Sequence, residues 1–130
     1  MILDTSALVA ILFGEPEAEH FCRLILDADV CRISVVNHLE LSIVLDRQAR
    51  PAAARQAEAF MRAASIVVEP VTLHQGTLAR QAFFDFGRGH HRAKLNFGDC
   101  FAYALAKVMD EPLLFKGNDF SMTDIGVAAT

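Results

Sequence analysis

Apolar residues in this chain change period repeatedly, from short uninterrupted runs to longer stretches where they recur every third or fourth position. The first run, Ile2-Leu3, leads into Asp4 and reads as a strand over 1–4; Thr5 and Ser6 then supply capping chemistry for a helix over 7–13. Gly14-Glu15-Pro16 breaks that helix. Pro16 suits the first turn of a second helix to about residue 29, with Phe21, Leu24, Ile25 and Ala28 on its apolar face. A brief strand over 31–33 precedes Ser34, which caps a helix to about residue 48, and Pro51 starts an Ala-rich helix to about residue 64. Ile66-Val67-Val68, β-branched and closed off by Pro70, is the clearest strand and reads as a central one. Thr72 begins the next helix, to about residue 86, and Asn96 caps another over 97–109. After Pro112, residues 113–115 form a fourth strand and residues 125–128 a fifth.

Strands that alternate with helices predict an α/β fold, an α/β/α sandwich with a central parallel sheet of four to five short strands, whose ligands bind at the carboxyl ends of the strands. A length of 130 residues fits a single domain, and a composition 53% hydrophobic and 22% charged excludes disorder. The formal charge of −4 removes any global attraction for nucleic acid or anionic lipid, so such contacts must be local. The dense basic stretch over 87–94 is the place for them: it reads as a mobile loop in which Arg88, Arg92 and Lys94 are candidate RNA-binding residues. No apolar run approaches the ~20 residues that span a bilayer, and the first residues lack signal-peptide features, which together predict a cytoplasmic protein. Cys22, Cys31 and Cys100 form no C-x-x-C pair and read as core residues.

Four carboxylates occupy related positions in this pattern. Asp4 ends the first strand, Glu40 lies on an apolar-flanked helical turn beside Val36, Leu39, Leu41, Ile43 and Val44, Asp99 sits in the first turn of a late helix, and Asp119 follows the fourth strand. A parallel sheet can bring them to one edge. Converging carboxylates repel and are stable in ionised form only with cations. Oxygen donors without His or Cys select a hard ion, Mg²⁺ or Mn²⁺, and such a site hydrolyses phosphodiesters with activated water. Each acid also has an ordinary explanation. Asp4-Thr5-Ser6 is a possible capping turn, Asn96-x-x-Asp99 has capping-box spacing, and Asp119 suits a turn.

Thr5, Ser6 and Asn96 are the hydrogen-bonding residues beside these acids, and Ser6, with no His relay, suits a bond to Asp4 or phosphate better than a nucleophilic role. His38 reads as structural, His90-His91 as solvated, and the ten Phe as core. A haloacid-dehalogenase-type phosphatase needs a second Asp where Ser6 stands, and a receiver domain needs paired N-terminal acids that are absent. The remaining alternative is a catalytically idle RNA- or protein-binding module.

The motifs nonetheless add up. Over essentially its whole length the chain resembles the PIN-domain ribonucleases, and within them the VapC toxins of type II toxin–antitoxin modules. Met1-Ile2-Leu3-Asp4-Thr5-Ser6-Ala7 is similar to that family's first motif, Ser34-Val35-Val36-Asn37-His38-Leu39-Glu40 to its second, 96–106 to its third, and Leu113 through Phe120 to its fourth. Relatives commonly carry Thr or Ser where Phe115 stands and a polar residue where Gly117 stands. The resemblance implies that Asp4 and Asp99 are the principal Mg²⁺ ligands, with Glu40 and Asp119 completing the pocket directly or through water. It also implies RNA cleavage, a homodimer, and inhibition by a cognate VapB-type antitoxin whose C-terminal segment covers the site.

Overall fold

A computed structural model describes residues 1–48 and 50–128. Four strands, β1 (Ile2–Leu3), β2 (Arg32–Ser34), β3 (Val67–Glu69) and β4 (Leu113–Leu114), pair in parallel in the order β3-β2-β1-β4. Among the described residues six α-helices alternate with them: α1 (Thr5–Leu12), α2 (Ala18–Asp27), α3 (Val35–Arg47), α4 (Pro51–Ala63), α5 (Leu73–Phe86) and α6 (Phe97–Met109). Successive strand side chains point to opposite faces, and here both faces are buried. Leu3, Ile33 and Leu114 pack with apolar residues of α1 to α4, whereas Ile2 and Leu113 pack with α5 and α6. This is the expected α/β/α sandwich.

The helix predictions hold wherever a cap is explicit. Ser34 accepts from the Val36 amide to start α3, Pro51 is at the first turn of α4, Thr72 caps α5 through the Gln75 amide, and α6 has the predicted limits. Four expectations need correction. Helix α1 begins at Thr5, because Asp4 itself is the cap, and Pro16 lies in a turn ahead of α2. Strand β3, read as central from its apolar run, is at the sheet edge, where Val67 and Val68 are 40% and 37% exposed. The fifth strand reduces to a single parallel bridge, Leu113 to Val127, so one residue extends the sheet there.

The basic stretch is also not a free loop. Arg88 N–H donates to Leu95 O and Leu95 N–H to Phe86 O, both at 3.0 Å, and Ala93 and Leu95 are fully buried beneath it. Among the described residues no helix is long and apolar enough to cross a membrane.

Candidate active site

Strand β1 is where the strand order reverses: the chain crosses from it to β2 on one side and returns later to β4 on the other. Ligands in open parallel sheets bind outside the carboxyl ends of the strands at such a switch point. Asp4 stands at that end of β1, and an open pocket of about 550 Å³ there is lined by Asp4, Thr5, Ser6, Glu40, Asn96, Asp99 and Asp119, all seven predicted acids and hydrogen-bonding residues. Glu15 and Lys116 join them. Arg88, Arg92 and Lys94 are exposed and do not line this pocket. His38 lies elsewhere, between α3 and α4, 3.6 Å from Glu58.

Each acid is positioned by a different local device. Asp4 is 4% exposed and caps α1, its Oδ2 accepting from the Ser6 amide (3.0 Å) and hydroxyl (2.6 Å), while its Oδ1 is buried with no partner. The Ser6 hydroxyl in turn accepts from the Lys116 amide at 3.0 Å, linking the first turn of α1 to the segment after β4. Asp99 forms the full capping box: its Oδ2 accepts from the Asn96 amide (3.0 Å), and its own amide donates to Asn96 Oδ1 (2.9 Å). Capping and pocket roles therefore coexist in one residue.

Glu40 projects from α3, half-buried, and its Oε1 accepts from the Thr5 hydroxyl at 2.5 Å. The apolar residues expected around it do not all enclose it, since Leu39 and Ile43 are 60% and 43% exposed. Asp119 is exposed at the start of a short 3₁₀ turn over Phe120–Met122, with no capping bond of its own.

Burial raises the Asp4 carboxyl above its usual range, with the Glu40 charge adding to the effect. Asp99 is pushed up to about 7, first by burial and then by the charges of Asp4, Asp119 and Glu40. The carboxylates thus feel one another across the pocket. Lys116, the cation lining it, is engaged by Glu15 and lies 3.4 Å from Glu17, both from the α1–α2 connection.

The donor set suits a hard divalent ion: oxygen atoms alone, two raised carboxyls, and a buried Asp4 Oδ1 without a hydrogen-bond partner among the described residues. Among the described residues no three His, Cys, Asp or Glu side chains enclose an ion by themselves. Mg²⁺ does not need such an enclosure, because it keeps several waters and takes one or two carboxylates.

Sequence reasoning gave no role to Asn37, Gly98, Glu15 or Lys116. A glycine inside a helix, costing ~1 kcal/mol against alanine, was the available signal at Gly98.

Known proteins supply a frame for this geometry. The sequence profile of the PIN domain matches residues 1–126. Ribonuclease VapC28 of Mycobacterium tuberculosis is 51% identical over 126 residues, covering 96% of this chain and 95% of its own. The chain belongs to the PIN-domain family and, within it, to the VapC ribonucleases. Among solved structures, the crystal structure of Mycobacterium tuberculosis VapC20, described as a sarcin-ricin loop cleaving toxin, superposes with a TM-score of 0.78 at 22% identity, covering 95% of both chains. A toxin–antitoxin complex from Klebsiella pneumoniae has a TM-score of 0.69 at 17% identity, over 95% of this chain and 92% of that one. At these identities the two structures speak to the fold.

Proposed function

We propose that residues 1–130 act as one PIN domain that hydrolyses RNA phosphodiester bonds in the acidic pocket, with Mg²⁺ or, in its place, Mn²⁺, as the cytoplasmic toxin of a VapBC-type pair. A divalent-metal requirement is general among PIN-domain ribonucleases. The observation that carries the reading here is the buried, unpartnered Asp4 Oδ1 in a pocket shared with Glu40, Asp99 and Asp119.

In this reading Asp4 and Asp99 hold the ion, and Glu40 and Asp119 complete the pocket directly or through water. A bound divalent ion would neutralise phosphate oxygens and ease deprotonation of a water at neutral pH. The chain's own residues fix the geometry. Ser6 holds Asp4 by Oδ2, and Asn96 holds Asp99 by Oδ2, so each acid is tied through one oxygen and keeps Oδ1 for other work. Thr5 orients Glu40 from the turn that carries Asp4. Arg88, Arg92 and Lys94, exposed and without ion pairs among the described residues, are proposed to hold RNA away from the pocket.

A second copy of the chain and a VapB-type antitoxin are the proposed protein partners. Exposed apolar side chains on α3 (Val35, Leu39, Ile43) and near the α5–α6 cleft (Phe83, Phe84, Phe97) support this, since single exposed apolar residues are ordinary but groups of them mark contact surfaces.

The test is cleavage of a structured RNA by the purified protein. Mg²⁺ and Mn²⁺ are expected to support it, Ca²⁺ to fail, and chelator to stop it. Full cleavage in excess EDTA would overturn the mechanism.

A further inference from the structure

Asn37 is a fully buried polar side chain in the first turn of α3, and nothing in the pocket's own chemistry accounts for it. Its Nδ2 donates to the Gly98 carbonyl at 3.0 Å and approaches Glu40 Oε1 at 3.4 Å. Both neighbours are acceptors, which fixes the amide with its nitrogen toward them and leaves Oδ1 buried without a partner. A buried amide with an unsatisfied oxygen is unfavourable unless its donor end does something specific. Here that end ties the start of α6 to α3.

Gly98 shows why the spacing matters. A Cβ built on it would lie 2.8 Å from the carboxyl carbon of Glu40, closer than real side-chain contacts allow. The glycine has no left-handed backbone to justify it, so its role is space. Without a side chain the α6 backbone comes up against the Glu40 carboxylate, one residue before Asp99.

We propose that Asn37 and Gly98 are positioning residues that set the place of the Glu40 carboxylate against α6, and so its distance from Asp99, for ion binding. The inference rests on the proposed function, since it concerns the metal pocket. Thr5 closes the arrangement from the other side: its hydroxyl lies 3.0 Å from the Asn37 carbonyl and 2.5 Å from Glu40, so one threonine spans the helix that carries the acid and the acid itself.

The test is Mn²⁺ binding by titration calorimetry, with thermal melts on the same samples, for Asn37→Ala and Gly98→Ala, each in the parent and in a Glu40→Gln background. Acting through Glu40, each substitution is expected to weaken Mn²⁺ about tenfold in the parent and less than twofold once Glu40 is Gln. Equal weakening in both backgrounds would mean general loosening and would overturn the proposal. So would a Gly98→Ala protein that melts higher and binds Mn²⁺ as the parent does, the result a mere helix-propensity position gives. Should Asn37→Ala not fold, the Gly98 cycle decides alone. If the parent itself does not bind Mn²⁺, the metal reading fails and this inference with it; if the parent binds and Glu40→Gln leaves its affinity unchanged, this inference alone is overturned. Binding that Glu40→Gln weakens but neither substitution affects would overturn this inference only.

Discussion

Asp99 divides its two oxygens between folding and the pocket, and its protonation carries both roles. Its carboxyl, 3.8 in an unfolded chain, is raised to about 7 in the folded one by burial and by the neighbouring acids. Between those values the folded state binds a proton that the unfolded state has released. This contribution to stability is therefore full below pH 4 and is lost as pH rises through about 7, on the order of a few kcal/mol without metal. Metal-free protein is expected to melt higher at pH 5.5 than at pH 8, and saturating Mg²⁺ to narrow the gap. Asp99→Asn keeps an oxygen for the Asn96 amide while removing the charge. It should raise the metal-free melting temperature at pH 8 by several degrees and abolish cleavage, which paired melts and RNA assays check. A lower melting temperature with cleavage retained would reverse the assignment. The gathering of the four acids was legible in the sequence because Asp4 ends a strand, Asp99 stands at a helix start, Asp119 follows a strand and Glu40 interrupts an apolar stretch of helix. The contact between Asn37 and Gly98 was not, because it joins residues 61 positions apart through a helix crossing that no local pattern encodes.

At the level of elements, legibility followed capping chemistry. Helices α3, α5 and α6 could be bounded from Ser34, Thr72 and Asn96, since a side-chain oxygen that satisfies an end amide is written in one residue. Strand β3 misled because an apolar run reports burial, and a two-sided edge strand with Pro70 after it looks alike in sequence. Helix α6 gives a direct test of its cap. Asn96→Ala removes the acceptor for the Asp99 amide and is expected to cost about 1 kcal/mol, a fall of about 3–6 °C by calorimetry. Unchanged melting would show that water replaces the amide oxygen at no cost.

The molecule as a whole is acidic at −4, yet its proposed substrate is a polyanion. Attraction must come from patches, and the pinned segment carrying Arg88, Arg92 and Lys94 is a fixed one, held by the Leu95 and Gly87 backbone bonds. Neutralising all three should weaken RNA binding and lower its salt dependence by about three phosphate contacts at most, read from binding constants over a salt series. An unchanged slope would return the segment to ordinary solvated surface. The same acidic pocket is open to a guanidinium from an antitoxin, which fits carboxylates in a forked way. Glu40→Gln is then expected to speed dissociation of the antitoxin complex while association changes little. Equal dissociation rates would leave steric cover as the means of inhibition.

Because Asp4 caps α1 and Asp99 closes the capping box of α6, folding alone gives selection a reason to keep an Asp or an Asn at both places. A relative that has lost its chemistry would still retain an Asp, or an Asn that caps as well, at both places. Their presence is therefore a poor marker of a working nuclease. Glu40 and Asp119 cap nothing, so drift is free to erase them once cleavage no longer matters. Among degenerate copies of this gene, those two positions are where decay should show first.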